Sequence, residues 1–256
     1  MKSLLLLPLL SLTALSAIVE KPVEYQQGDT TLEGYHAYDD SISAARPAIL
    51  IVHQWTGLTD YAKSRSKQLA ELGYNVFALD IYGKGIRPQP PEAGTEAGKY
   101  KGDRELFRAR LMAGLEVLKN DPNTNPDKIA AIGYCFGGTG VLELARSGAD
   151  IAGVVSFHGG LGAAEGMTAD KDTLKARILV CHGADDPYVP AAEVAAFEKE
   201  MREANADWQL IAYGNAVHAF TQKMAGDDNS KGAAYHEKAD QRSWQAMKQF
   251  FAEIFK

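Results

Sequence analysis

"AIGYCFGGTG", residues 131–140, sets a cysteine between an apolar, strand-like run and a helix start, with Gly133, Gly137 and Gly138 crowded around it. A strand that passes straight into a helix through one residue strains the backbone of that residue. Its neighbours must then be small, or their side chains collide with the turn. The pattern Gly-x-nucleophile-x-Gly meets this need and lifts the central side chain over the edge of a sheet. Gly133-Tyr134-Cys135-Phe136-Gly137 fits it, with "DKIAAIGYC" as the strand and residues 138–146 as the helix. Cys135 is thereby a candidate nucleophile. A helix N-terminus, with free N–H groups and partial positive charge, also favours a thiolate. Taken alone, the stretch equally fits a buried structural cysteine before a glycine-rich turn.

Working outward, "PAILIVH" (47–53) and "NVFALDIY" (75–82) are continuous apolar runs, the mark of strands buried on both faces. "TDYAKSRSKQLAELGY" between them reads as an amphipathic helix stopped at Gly73. Before them, "EKPVEYQQGDTTLEGYHAYDD" alternates around Gly28-Asp29 as an antiparallel hairpin. Residues 83–102, rich in glycine, proline and charge, read as a long loop, and 103–120 as a helix. Downstream, "IAGVVSFHG", "ARILVCHG" and "WQLIAYG" read as strands, and 191–205 and 235–255 as helices. This alternation predicts an α/β fold: a mostly parallel, doubly wound sheet flanked by helices on both faces. In such sheets sites gather at the carboxyl ends of the strands. The residues to watch are therefore His53-Gln54-Trp55, Tyr82-Gly83-Lys84, Cys135-Phe136, His158, Asp185-Asp186 and His218. An elbow of this kind takes its partners in the chain order nucleophile, acid, base. Cys135, an aspartate of the 185–186 pair and His218 stand in that order.

Composition narrows the classes. The chain has 256 residues, is 46% hydrophobic and carries a formal net charge of −6. That suits one domain, placed at 19–256. No basic stripe suggests nucleic acid as a partner. "MKSLLLLPLLSLTALSA" combines Lys2, an apolar run and small residues near a cleavage zone, so residues 1–18 read as a signal peptide. The expectation is an exported, periplasmic or secreted monomer, free of the membrane once cleaved. Two cysteines are too few for a disulfide framework, and the histidines lack the close spacing of a metal site.

"DIYGKGIRP", "GYCFGG", "HGADDPYVP" and "HAF" together resemble the dienelactone hydrolase family of the α/β-hydrolase fold, over about residues 22–255. The cysteine in the elbow is the specific part, because most α/β hydrolases carry serine there. The resemblance implies hydrolysis of a small-molecule ester or lactone through an acyl-cysteine intermediate, with no metal and no organic cofactor. In the family's acid motif the aspartate stands three residues before the valine of Val-Pro, which selects Asp186 over Asp185. Backbone N–H groups of Phe136 and, by the family pattern, Trp55 are the expected oxyanion donors. In the family's strand order Cys181 stands two strands from Cys135, too far for a disulfide.

Departures from the family pattern limit what is implied. Gln54 stands where well-known members carry a glutamate, and a glutamine cannot hold or release a proton. That leaves a direct Cys135–His218 pair, or a neutral thiol bonded to an amide. Gln222 stands where the family pattern has an arginine, so the guanidinium that would bind a substrate carboxylate is missing at that position. Gln54, Tyr82, Lys84 and His158 are candidate pocket residues. Lys84 and Arg87 also read as ordinary loop charges, and Tyr82 as a core aromatic. A thioesterase or acyl transferase on the same site, and a non-catalytic binding or thiol redox protein, are the competing functions.

Overall fold

A computed structural model describes residues 17–256. Residues 1–16 of the expected signal peptide therefore lie outside the described residues. Among the described residues eight strands form one sheet: β1 (Ile18–Gln27), β2 (Thr30–Asp39), β3 (Arg46–Val52), β4 (Asn75–Leu79), β5 (Thr124–Tyr134), β6 (Gly153–Phe157), β7 (Arg177–Gly183) and β8 (Trp208–Tyr213). Their order is β1-β2-β4-β3-β5-β6-β7-β8. The pairings β1–β2 and β2–β4 are antiparallel and the rest are parallel.

The described residues also form the α-helices that cover the sheet's faces: α1 (Asp60–Ala70), α2 (Glu92–Gly102), α3 (Arg104–Lys119), α4 (Phe136–Arg146), α5 (Ala191–Glu203) and α6 (Glu237–Ile254). The alternating side chains of the central strands feed two cores. Leu50, Val52, Ile129 and Ala131 pack with α3 and α4 residues on one side. Ile49, Ile51, Ala130 and Ile132 pack with residues of α1 and α6 on the other. This double burial is why the strands read as unbroken apolar runs.

Register brings the strand ends level. Val52 pairs with Gly133, Gly133 with Ser156, Tyr134 with Phe157, and Phe157 with Cys181. The residues that follow β3, β5, β6 and β7 thus emerge along one rim. Cys181 lies two strands from Cys135, and both cysteines are free.

One element differs from the sequence expectation. Residues 92–102 are the helix α2, not loop. Ala93, Ala97 and Tyr100 are its buried residues, at i, i+4 and i+7. Gly94, Gly98 and Gly102 lower helix propensity and hid that short stripe.

Candidate active site

Cys135 is the one residue between β5 and α4. Its φ of +56° and ψ of −116° place it in a backbone region that L-residues rarely adopt. The flanking glycines explain how the turn closes. A Cβ on Gly133 would lie 1.9 Å from the Gly137 carbonyl oxygen, and one on Gly137 would lie 2.1 Å from the Val52 carbonyl oxygen. The Cys135 N–H donates to the Phe157 carbonyl at 3.0 Å, fixing the elbow to the neighbouring strand.

His218 and Asp186 meet this elbow from the loops after β8 and β7. His218 Nδ1 donates to Asp186 Oδ2 at 2.8 Å, and the Asp186 carboxylate is buried. Asp186 Oδ1 accepts from the Tyr188 N–H at 2.9 Å, so both oxygens are held. Asp185 is exposed. With Nδ1 engaged, the other nitrogen of His218 is left for Cys135, and the two side chains lie together in one cleft and act on each other's ionisation.

The electrostatics follow from this chain. Burial raises the Cys135 thiol pKa, but the bond to His218, the His218 charge, the Phe136 N–H and the Lys101 charge outweigh it and bring the net value below the ordinary thiol value. Burial lowers the His218 pKa, yet its bonds to Asp186 and Cys135 raise it to about 10. Both shifts run in the direction that favours a thiolate beside an imidazolium. Protonation of sulfur ends this state on the acid side, and loss of the imidazolium proton ends it on the alkaline side. Titrating the ultraviolet absorbance of the thiolate should show Cys135 ionising below the free-thiol value of about 8.5. A midpoint above about 9 would reject a resting thiolate.

The Phe136 N–H, first of α4, has no intrahelical acceptor and points to the sulfur. Trp55 sits in a tight turn closed by the Gly57 N–H on the Gln54 carbonyl at 3.0 Å, with its own carbonyl held by the Tyr82 hydroxyl at 2.8 Å. His53 braces that turn. Its Nε2 accepts from the Ile81 N–H at 3.1 Å, so its Nδ1 carries the proton and donates to the Gln54 carbonyl at 2.6 Å. Burial holds the His53 pKa down at about 4, so the ring stays neutral.

A cleft of about 530 Å³ opens over Cys135. Trp55, Phe136, Tyr188, Val189 and His218 line it, with Gly94, Ala97, Gly98 and Lys101 from α2. The small residues of α2 leave room beside the sulfur. Lys101 is the one Lys or Arg among the lining residues, which include no carboxylate. Gln222 also faces the cleft.

The four residues expected in the pocket do not line it. Lys84 is exposed and pairs with Glu24 at 2.5 Å. Tyr82 is buried behind Trp55, stacked on Tyr100. Gln54 is buried in the turn that carries Trp55. His158 is buried behind His218 rather than beside the substrate space. Position after a strand end predicted proximity to the rim, but the local turn decides which way each side chain leaves it. Arg87 likewise is engaged away from the cleft, bonding the Leu58, Gly83 and Ile86 carbonyls and pairing with buried Asp80 at 3.5 Å. Sequence reasoning missed Lys101 and the α2 wall, whose only signal was the buried stripe at 93, 97 and 100. Among the described residues no group of three or more His, Cys, Asp or Glu could hold a metal ion.

A model of the dienelactone hydrolase family matches residues 32–255. The crystal structure of P91, a dienelactone hydrolase-like promiscuous phosphotriesterase from metagenomic libraries, is 38% identical and superposes with a TM-score of 0.89, covering 94% of this chain and all of that one. A dienelactone hydrolase structure from Anabaena variabilis is 18% identical with a TM-score of 0.67, over 93% of this chain and 99% of that one, and shares the fold. An uncharacterized Caenorhabditis elegans protein is 38% identical over 150 residues, 58% of this chain and 94% of its own length.

Proposed function

The chain belongs to the dienelactone hydrolase family, and from that premise we propose that it hydrolyses carboxylic esters or lactones through an acyl-cysteine intermediate formed on Cys135. The observation that carries the reading is the Asp186–His218 hydrogen bond set beside Cys135, which stands on a strained elbow in the same open cleft. The Cys135 thiolate attacks the substrate carbonyl carbon. The oxyanion that forms is met by the N–H of Phe136 and of Trp55, groups fixed before the substrate arrives. The carbon–oxygen bond then breaks, and the imidazolium of His218 gives its proton to the leaving oxygen. In a lactone that oxygen stays tethered to the acyl group. His218, now neutral, takes a proton from water as the hydroxide adds to the thioester. Expulsion of sulfur releases the acid and restores the thiolate–imidazolium pair. Asp186 orients His218 and stabilises its charge throughout.

The test is to trap the intermediate. With p-nitrophenyl acetate, rapid acid quench and mass spectrometry should find one acetyl group on the peptide bearing Cys135, with a burst of p-nitrophenol equal to the enzyme. Steady turnover with unmodified Cys135 at every time point would sink the acyl-cysteine route.

The cleft chemistry favours a second reading of the same site. Its walls are largely apolar and hold no carboxylate, so an uncharged phosphotriester also fits, in keeping with the activity named for P91. There the thiolate would attack phosphorus and displace an alkoxide or aryloxide, and water would then cleave the sulfur–phosphorus bond.

A further inference from the structure

His158 follows β6 with φ +41°, a left-handed conformation unusual for a residue with a side chain. Such strain persists where surrounding structure over-determines it. Here the His158 N–H donates to the Cys181 carbonyl at 2.8 Å, and the ring is 0% exposed. The ring lies edge-to-face against His218, with centroids 5.3 Å apart, and against Phe220 at 5.1 Å. Its Nε2 is 2.8 Å from the Thr221 hydroxyl oxygen, three residues beyond His218.

Thr221 is anchored in turn. Its hydroxyl lies 2.7 Å from the Tyr61 hydroxyl, which accepts from Arg65 Nε at 3.2 Å. Arg65 also donates to the Thr221 carbonyl at 3.2 Å and to Asp240 Oδ1 at 2.7 Å. Side chains of α1 and α6 thus hold the 218–221 loop from behind. On the cleft side the exposed Tyr188 ring touches His218, with centroids also 5.3 Å apart. Of these two rings, that of His158 is held by a side-chain hydrogen bond to the 218–221 loop, at Thr221.

On the triad reading above, we infer that His158 is a positioning residue for the general base: moored through Thr221, its ring sets the orientation of the His218 imidazole toward the Cys135 sulfur. A phenyl ring could fill the same space but could not be tied to the loop. The role requires a neutral ring, because His218 carries the charge. Burial first, then the His218 charge, keep His158 well below the ordinary histidine pKa. The titratable and charged groups facing the pair are Asp186, His158, His182 and Tyr188 around His218, and Lys101 and Tyr82 around Cys135. Arg65 acts on His158 from behind. Thr221→Val replaces none of these groups; it takes away the hydroxyl that holds His158 Nε2 and the Tyr61 hydroxyl.

The test reads the sulfur directly. The pH dependence of Cys135 alkylation by iodoacetamide is measured on the full chain for the wild type, Thr221→Val, Thr221→Ser and His158→Phe, with melting temperatures alongside. A loosened His218 stabilises the thiolate less. Thr221→Val and His158→Phe should therefore move the alkylation midpoint up by about one pH unit, a tenfold change in the ionisation equilibrium. They should lower kcat about tenfold with KM nearly unchanged, and Thr221→Ser should restore both. Thr221→Val keeps the side-chain shape and decides the matter even where His158→Phe does not fold. A folded Thr221→Val protein with the wild-type midpoint overturns the inference. Alkylation needs no substrate, so this result is separate from the fate of the triad reading, which fails if Cys135→Ala still hydrolyses esters.

Discussion

Cys135→Ala should lose at least about a thousandfold in kcat/KM for p-nitrophenyl acetate while folding as the parent does. The methyl group of alanine fits wherever the cysteine Cβ already sits, so the elbow with its φ of +56° is left no more strained than before. What disappears is the sulfur that shares the cleft with His218 and acts on its ionisation. The N–H groups of Phe136 and Trp55 and the cleft remain, and they set the residual rate. Cys135→Ser separates shape from ionisation. It keeps an attacking atom at the same place, but a hydroxyl does not exist as an anion beside an imidazolium at neutral pH. His218 must then act as a base during attack, with its pKa no longer raised by the sulfur. Serine should therefore rescue only part of the alanine loss. Full activity in Cys135→Ala would remove the acyl-cysteine mechanism altogether.

The elbow, the strand alternation and the order Cys135, Asp186, His218 were legible because each rests on a local constraint. Glycines at 133 and 137 are demanded by backbone atoms within 2.2 Å of where a Cβ would stand. Strands buried on both faces must be apolar throughout. Asp186 and His218 needed only the correct strand ends and the family's motif spacing. The cleft was less legible, for a physical reason. Lys84, Tyr82 and His158 all follow strand ends, yet Lys84 turns outward to Glu24, Tyr82 inward to Tyr100, and His158 backward to Thr221. Those choices depend on partners 18 to 63 positions away along the chain. Chain spacing alone does not encode them. Lys101 was hidden for the opposite reason. Its helix carries three glycines, so propensity argued for a loop where burial of Ala93, Ala97 and Tyr100 makes a helix.

Gly137→Ala should destabilise the fold by more than about 4 kcal/mol, or prevent soluble accumulation, because no neighbour can yield. The added methyl would stand 2.1 Å from the Val52 carbonyl oxygen and 2.6 Å from that of His53. Both atoms are backbone at the end of β3, a strand paired on both sides by β4 and β5. The relief must come from α4, whose eleven residues are all buried. Moving it would open the contacts of Phe136 with Phe107 and His53 and shift the first N–H of the helix away from the sulfur. Even a protein that survives the change should therefore lose activity along with stability. Gly102→Ala, at the end of α2 with nothing within 4 Å of its would-be methyl, is the matched control and should change stability by less than about 1 kcal/mol. Urea denaturation of the pair separates a steric demand at one position from a general intolerance of alanine. A Gly137→Ala protein as stable as the parent would mean that β3 and α4 do not approach as closely as the elbow requires, and the placement of Cys135 over the rim would go with it.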